Sequence, residues 1–202
     1  MNRLGVLLSG RGSNFLAIHE AIERGEVPAE IAVVITNIEG APGVARAEEF
    51  GLRTLTIPHK GMKRRAHEEL VVAALREAEV DWVCLAGYMR LLSPYMVTSF
   101  PQRIVNIHPS LLPAFPGLDA QRQAFEHGVR VSGCTVHLVD EGLDSGPIVV
   151  QKVVEVADDD TADSLSERIL AVEHEAYPEA LRKLLGSPWR LEGRRAVFGG
   201  SR

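Results

Sequence analysis

The pentapeptide Asn106-Ile107-His108-Pro109-Ser110 gathers side chains that could handle a carbonyl group. Asn106 supplies an amide N–H able to donate to a carbonyl oxygen, and His108 an imidazole that exchanges protons near neutral pH. Asp144, later in the chain, could orient the ring and raise its pKa if the fold brings the two together. Such a trio suits acyl chemistry. The same residues also read as a satisfied core histidine and a turn aspartate within Leu143-Asp144-Ser145-Gly146-Pro147, and the pentapeptide alone leaves both readings open.

The elements around these residues decide whether they can meet. Gln102-Arg103-Ile104-Val105 reads as a strand, and Pro109 can continue neither a central strand nor a helix interior. Asn106 and His108 are therefore expected where a strand opens into a loop, on one shared face. Upstream, residues 4–8, 31–35 and 80–86 are short apolar runs without alternation, as in strands covered on both faces of a parallel sheet. Residues 52–57 add an alternating strand. Helical spacing follows Phe15, spans 42–50 up to Gly51, and resumes after Lys60, Lys63, Arg64 and Arg65, with Leu70, Val71, Ala74 and Leu75 on the apolar face. This alternation predicts an α/β fold with a mainly parallel twisted sheet and right-handed crossovers.

Beyond the pentapeptide, Pro109, Pro113, Pro116 and Gly117 forbid a regular helix and stiffen a loop. Residues 122–127 are helical. Strands at 130–139 and 148–156, separated by the 140–147 loop that carries Asp144, suggest an antiparallel addition to the sheet. Asp158-Asp159-Asp160-Thr161 precedes an amphipathic helix, with Asp160 or Thr161 as N-cap and Leu165, Ile169, Val172 and Ala176 facing inward. The aspartates read as caps rather than metal ligands, because no ligand cluster follows at a recognisable spacing. Pro178 is expected to break or kink this helix before 179–185 resumes it. Glu173 falls on or near the packed face, where a charge needs a partner or a ligand. A terminal hairpin turns at Glu192-Gly193 and ends in a frayed Gly199-Gly200.

A second feature points to a ligand. Ser9-Gly10-Arg11-Gly12-Ser13-Asn14 joins the first strand to a helix, and backbone N–H groups at a helix start favour an anion. Phe15 stands where a dinucleotide fingerprint has its third glycine, and no Gly-Lys-Ser/Thr follows. A single phosphomonoester fits this turn better than a dinucleotide or ATP, with an ordinary strand-to-helix turn as the other reading. The strand at 80–86 delivers Met89-Arg90-Leu91-Leu92 to its carboxyl end, where open α/β sheets place ligands.

With 202 residues, 46% hydrophobic and 24% charged, the chain suits one globular domain spanning 1–202. Its net charge of -5 gives no electrostatic invitation to nucleic acid or an anionic membrane. The N-terminus is too short for a secretory h-region and no stretch approaches a spanning helix, so a cytoplasmic location is expected. Cys84 and Cys134 read as small core residues of strands without metal-ligand spacing.

Taken together, Gly10-Arg11-Gly12-Ser13-Asn14, the run from Leu85-Ala86-Gly87-Tyr88 through Met89-Arg90-Leu91-Leu92-Ser93, Asn106-Ile107-His108-Pro109-Ser110-Leu111-Leu112-Pro113 and residues 140–147 closely resemble the phosphoribosylglycinamide formyltransferase family. The likeness runs from residue 4 to about 198. It implies a Rossmann-like formyltransferase fold with helices on both faces of the sheet. It implies transfer of the formyl group of 10-formyltetrahydrofolate to the amine of 5'-phosphoribosylglycinamide, the third step of de novo purine synthesis, without a metal. Gly12, Ser13 and Asn14 match the family's substrate-phosphate loop, and Glu173 an acid that contacts that substrate. Arg64, Met89, Arg90, Leu91, Leu92 and Asn106 match folate contacts, Asn106 and His108 the catalytic pair, and Asp144 the carboxylate that tunes the histidine. The partners implied are small molecules, with a monomer or homodimer as the working state.

There are departures. Ala114 stands where a lysine is frequent, and Asp119-Ala120-Gln121 where a His-Thr-His run is frequent, so no substrate contact is assigned in 114–121. Rival readings share the trio. Formyltetrahydrofolate deformylase usually carries an N-terminal regulatory domain, whereas the first strand here begins at residue 4. Methionyl-tRNA formyltransferase adds a C-terminal tRNA-binding domain, which is not expected in this acidic chain. A non-catalytic nucleotide- or folate-binding module would need the glycine turn but not the three polar residues.

Overall fold

The computed structural model describes residues 1–199, so Gly200, part of the expected frayed end, lies outside the described residues. The chain divides into two compact units, Met1–Asn106 and a second that begins at Ile107.

The first unit alternates strand and helix throughout: β1 (Asn2–Leu8), α1 (Ser13–Glu23), β2 (Ala29–Thr36), α2 (Pro42–Glu49), β3 (Thr54–Thr56), α3 (Arg64–Glu77), β4 (Trp82–Leu85), α4 (Pro94–Ser99) and β5 (Ile104–His108), whose last two residues fall in the second unit. The order is β3-β2-β1-β4-β5, with all four pairings parallel. Leu7, Leu8, Val33, Val34, Val83 and Cys84 are buried, as strands covered on both faces require. The chain proceeds outward from β1 through β2 to β3, then returns to place β4 on the other side of β1. That reversal makes the carboxyl ends of β1 and β4 the switch point at which open α/β sheets bind ligands.

Several elements differ in detail from expectation. β3 has three residues rather than six, because Leu52 N–H caps α2 by donating to the Ala47 carbonyl. β5 runs from Ile104 to His108 rather than over 102–105, and Asn106 and His108 lie at its end, where the strand opens into a loop as expected. The six-residue α4, opened by Pro94, lacks the length for a helical period to show in sequence.

The second unit contains α5 (Ala120–His127), β6 (Val131–Leu138), β7 (Ile148–Glu155), α6 (Ala162–Gly186), β8 (Trp189–Glu192) and β9 (Arg195–Phe198). β6 and β7 are antiparallel, as are β8 and β9, and β7 meets β9 in parallel at Ile148 and Arg195. Thr161 caps α6 in a reciprocal box with Ser164, while Asp160 supports the cap through Ser164 Oγ and Arg168. Those donors hold the Asp160 carboxyl down at about 2. Pro178 does not interrupt α6, which runs unbroken for 25 residues. Its ring is buried along with Ala176, Tyr177, Ala180 and Leu181, and this packing outweighs the lost helical hydrogen bond. Val172, expected inside, is half-buried.

Gly133 lies within β6 opposite Val153, where an added Cβ would come within 1.9 Å of the Lys152 carbonyl oxygen. Gly133→Ala is expected to destabilise the protein by about 3 kcal/mol or more, because backbone must move to admit the methyl. A thermal midpoint unchanged by this substitution would contradict the close approach.

His67 is fully buried on α3, its Nε2 2.7 Å from the Ile57 carbonyl oxygen. Burial lowers its pKa, against the raising effect of that carbonyl. The unfolded chain therefore protonates this ring at a higher pH than the folded one, and stability must fall as pH drops below the ordinary histidine value of about 6.5. The urea midpoint is expected to fall between pH 7.5 and 5.5, and to fall less in His67→Gln; an undiminished decline in that variant would contradict this role.

Candidate active site

In the first unit, the candidate ligand groups collect at the carboxyl ends of the parallel strands. Gly12 adopts φ 73 as the N-cap of α1 and accepts the Leu16 N–H at 2.9 Å. Its Cβ position lies 2.9 Å from the Gly43 Cα, so α2 crowds the turn and only glycine fits both the angle and the space. Ser13 and Asn14 follow as the first residues of α1, where main-chain N–H groups have no helical acceptor. At the neighbouring strand end, residues 87–92 form an exposed loop, with Met89 72% and Leu91 57% accessible. Arg90 and Leu92 are half-buried, and Arg64 is an exposed residue at the start of α3. Asn106 pairs in register with Leu85, which places its half-buried side chain two residues upstream of that loop's start on the adjacent strand.

In the second unit, Asp144 lies at φ 47 in the loop between β6 and β7, with its side chain 12% exposed. Its Oδ2 is 3.4 Å from His108 Nδ1 and accepts the Gly117 N–H at 2.8 Å; its Oδ1 is 3.9 Å from His137 Nε2. The other ring nitrogen of His108, Nε2, is 2.8 Å from the Phe115 carbonyl oxygen. His108 is thus held between two oxygens, one on each nitrogen, and is only 5% exposed. An imidazole fixed in this way presents one nitrogen to an oxygen while a carboxylate steadies the other. Burial lowers the pKa of His137, with the Leu138 carbonyl and Asp144 opposing the shift.

The turn that carries Asp144 is itself built tightly. Asp140 Oδ1 accepts from Gly142 N–H at 3.0 Å and from the Ser145 hydroxyl at 2.6 Å. Gly146 passes so close to Leu138 that a Cβ would lie 1.7 Å from its carbonyl oxygen. After His108, Thr135 Oγ1 donates to the Ser110 carbonyl at 2.7 Å and accepts the Leu112 N–H at 3.0 Å. Gln151 Nε2 bonds both that hydroxyl and the Leu112 carbonyl at 3.0 Å.

Glu173 is buried on α6 and its charge, after burial, helps push the Cys134 thiol up to about 12. Strand alternation sets Cys134 on the face of β6 opposite Thr135 and His137. Residues 114–121, to which the sequence reading assigns no substrate contact, supply two main-chain groups to the cluster, Phe115 O and Gly117 N. Sequence reasoning also missed His137, although its alternation with Thr135 on one face of β6 was a usable signal. Among the described residues no helix is long and apolar enough to cross a membrane, and no group of three or more His, Cys, Asp or Glu side chains is placed to hold a metal ion.

Comparison with known proteins places this geometry in a family. A family model described as formyl transferase matches residues 2–181. The phosphoribosylglycinamide formyltransferase of Bacillus subtilis (strain 168) is 42% identical over 187 residues, covering 92% of this chain and 96% of that protein. The trifunctional purine biosynthetic protein adenosine-3 of Drosophila melanogaster is 46% identical over 186 residues, or 91% of this chain, which spans 14% of that longer protein. The crystal structure of glycinamide ribonucleotide transformylase 1 from Symbiobacterium toebii is similar at a TM-score of 0.95 and 49% identity, over 98% of this chain and 94% of that one. The match along most of the sequence and the near-complete coverage of a relative at this identity establish that the chain belongs to the formyl transferase family.

Proposed function

We propose that this chain transfers the formyl group of 10-formyltetrahydrofolate to the amine of 5'-phosphoribosylglycinamide, giving the formylated ribonucleotide and tetrahydrofolate. The observation that carries the reading is the clamped imidazole. Asp144 stands on the Nδ1 side of His108, and on the Nε2 side a carbonyl oxygen already sits at 2.8 Å, where the oxygen of a reacting formyl group would need to be. Asn106, two residues earlier on β5, shares the same strand face and supplies a second donor. The relatives named for this reaction support the choice of substrates.

In this reading the ribonucleotide phosphate is held by the main-chain N–H groups at Gly12, Ser13 and Asn14, favoured by the positive end of α1. The folate lies along residues 89–92 and Asn106, with Arg64 nearby for its acidic tail. Glu173 is assigned to substrate contact and takes no part in the transfer step. The neutral amine attacks the formyl carbon, a C–N bond forms, and the carbonyl electrons move onto oxygen. Asn106 and the His108 imidazolium stabilise that oxyanion, an effect worth about 3 to 4 kcal/mol for a well-placed donor. Collapse of the intermediate restores the carbonyl and breaks the bond to the folate nitrogen. The departing nitrogen takes a proton from His108, directly or through water, and the ring recovers one from the former amine. Asp144 keeps the ring oriented. The chain is proposed to act in the cytoplasm on small molecules alone.

His108→Ala is expected to lower kcat by about 10²- to 10³-fold, the scale of losing an oxyanion donor, while ribonucleotide affinity changes by less than about twofold. Asp144→Asn should lower kcat by about 10²-fold or more, because an amide cannot counter the imidazolium charge. Folate turnover measured with and without the ribonucleotide checks both substitutions and the reaction type. Near-normal turnover by His108→Ala would overturn the assignment, and equal formyl release without the ribonucleotide would make the protein a hydrolase instead.

A further inference from the structure

In the loop at residues 87–92, Met89 and Leu91 are largely exposed, while Tyr88 and Leu92 are half-buried. Hydrogen bonds hold both of its ends. At the entry, Ser9 N–H donates to the Gly87 carbonyl at 3.0 Å, and Met89 N–H donates to Ser9 Oγ at 2.8 Å. The Ser9 hydroxyl proton goes to Asn37 Oδ1 at 2.6 Å. Asn37 is itself 3% exposed, and its Nδ2 lies 3.0 Å from His59 Nδ1. The Met89 N–H is thereby tied to the carboxyl ends of β1 and β2 through side chains that have no other evident task.

At the exit, Glu68 on α3 is 3% exposed and gives both carboxylate oxygens to one residue. Oε1 accepts the Ser93 N–H at 2.8 Å, and Oε2 accepts the Ser93 hydroxyl in a very short contact. Burying a carboxylate is costly unless its oxygens are satisfied, so this side chain has a strong preference for the one loop conformation that supplies both donors. Neither Ser9 nor Glu68 belongs to the groups assigned to phosphate, folate or transfer.

We propose that Ser9, backed by Asn37, and Glu68 are positioning residues for formyl-donor binding, fixing the entry and exit of the 87–92 loop so that it meets the folate already shaped. This rests on the assignment of residues 89–92 to the folate made above. Preorganisation of this kind appears in affinity for the donor and leaves the chemical step alone.

The test is equilibrium binding of 10-formyltetrahydrofolate and, separately, of the ribonucleotide to the full chain, followed by steady-state kinetics. Ser9→Ala and Glu68→Ala are each expected to raise the Kd and KM for the folate by about 10-fold, with ribonucleotide Kd and kcat at saturating folate within about twofold. Glu68→Gln keeps an acceptor for the Ser93 N–H and should recover most of the loss. Wild-type folate affinity in both alanine variants would overturn the proposal, as would equal weakening of both ligands. Should Glu68→Ala not fold, Ser9→Ala, which removes a single oxygen, decides alone. A wild-type chain that binds the folate yet never formylates the ribonucleotide would defeat the proposed reaction without touching this one, because the binding measurement needs no transfer.

Discussion

Everything in the second unit's cluster depends on where the Asp144 carboxylate is held. It is largely withdrawn from water, and it sits close to two imidazoles and one main-chain N–H. Withdrawal from solvent strengthens each of these electrostatic contacts and makes an unpaired carboxylate there expensive. The surrounding backbone is accordingly shaped to keep it in place. Asp144 itself takes a left-handed conformation, Asp140 ties the turn that precedes it, and Gly146 lets the chain pass against Leu138. The orientation of His108 follows from that placement rather than from its own strand alone.

Strand and loop divide the work in both units. In the first, parallel strands bring the glycine turn, the 87–92 loop and Asn106 to one set of strand ends, where the switch between β1 and β4 opens a crevice by topology. In the second, the β6–β7 pair fixes the loop between them at both stems, with a register shift at Val136 and His137 beside the cluster. Rigid elements set position, and short polar relays such as Thr135 with Gln151 and Ser9 with Asn37 set the conformation of what hangs from them.

The legible parts of the fold were those that local physics dictates. Apolar runs at 4–8, 31–35 and 80–86 read as strands covered on both faces, and the Val-rich segments on either side of residues 140–147 as an antiparallel pair, and both readings match the structure. The capped start of α6 was legible to within one residue, Asp160 or Thr161, and the structure makes Thr161 the cap, paired with Ser164. The break expected at Pro178 does not occur, because its cost is an isolated-helix property and α6 is held on both sides of it by buried side chains. In the candidate site, residue types pointed to His108 and Asp144 but could not give their separation, which depends on long-range closure. Phe115 and Gly117 were invisible for a different reason: they contribute main-chain atoms, which every residue has.

The central claim is that the Nε2 face of His108 meets the oxygen of the group being transferred while Asp144 steadies Nδ1. A crystal structure of the chain with the ribonucleotide and a folate analogue that cannot release its one-carbon group tests this most directly. The account predicts His108 Nε2 and the Asn106 amide within about 3 Å of the analogue's oxygen, in place of the Phe115 carbonyl, with Asp144 still against Nδ1. A complex in which the amine and the analogue's one-carbon group lie well beyond hydrogen-bonding reach of His108 would contradict it.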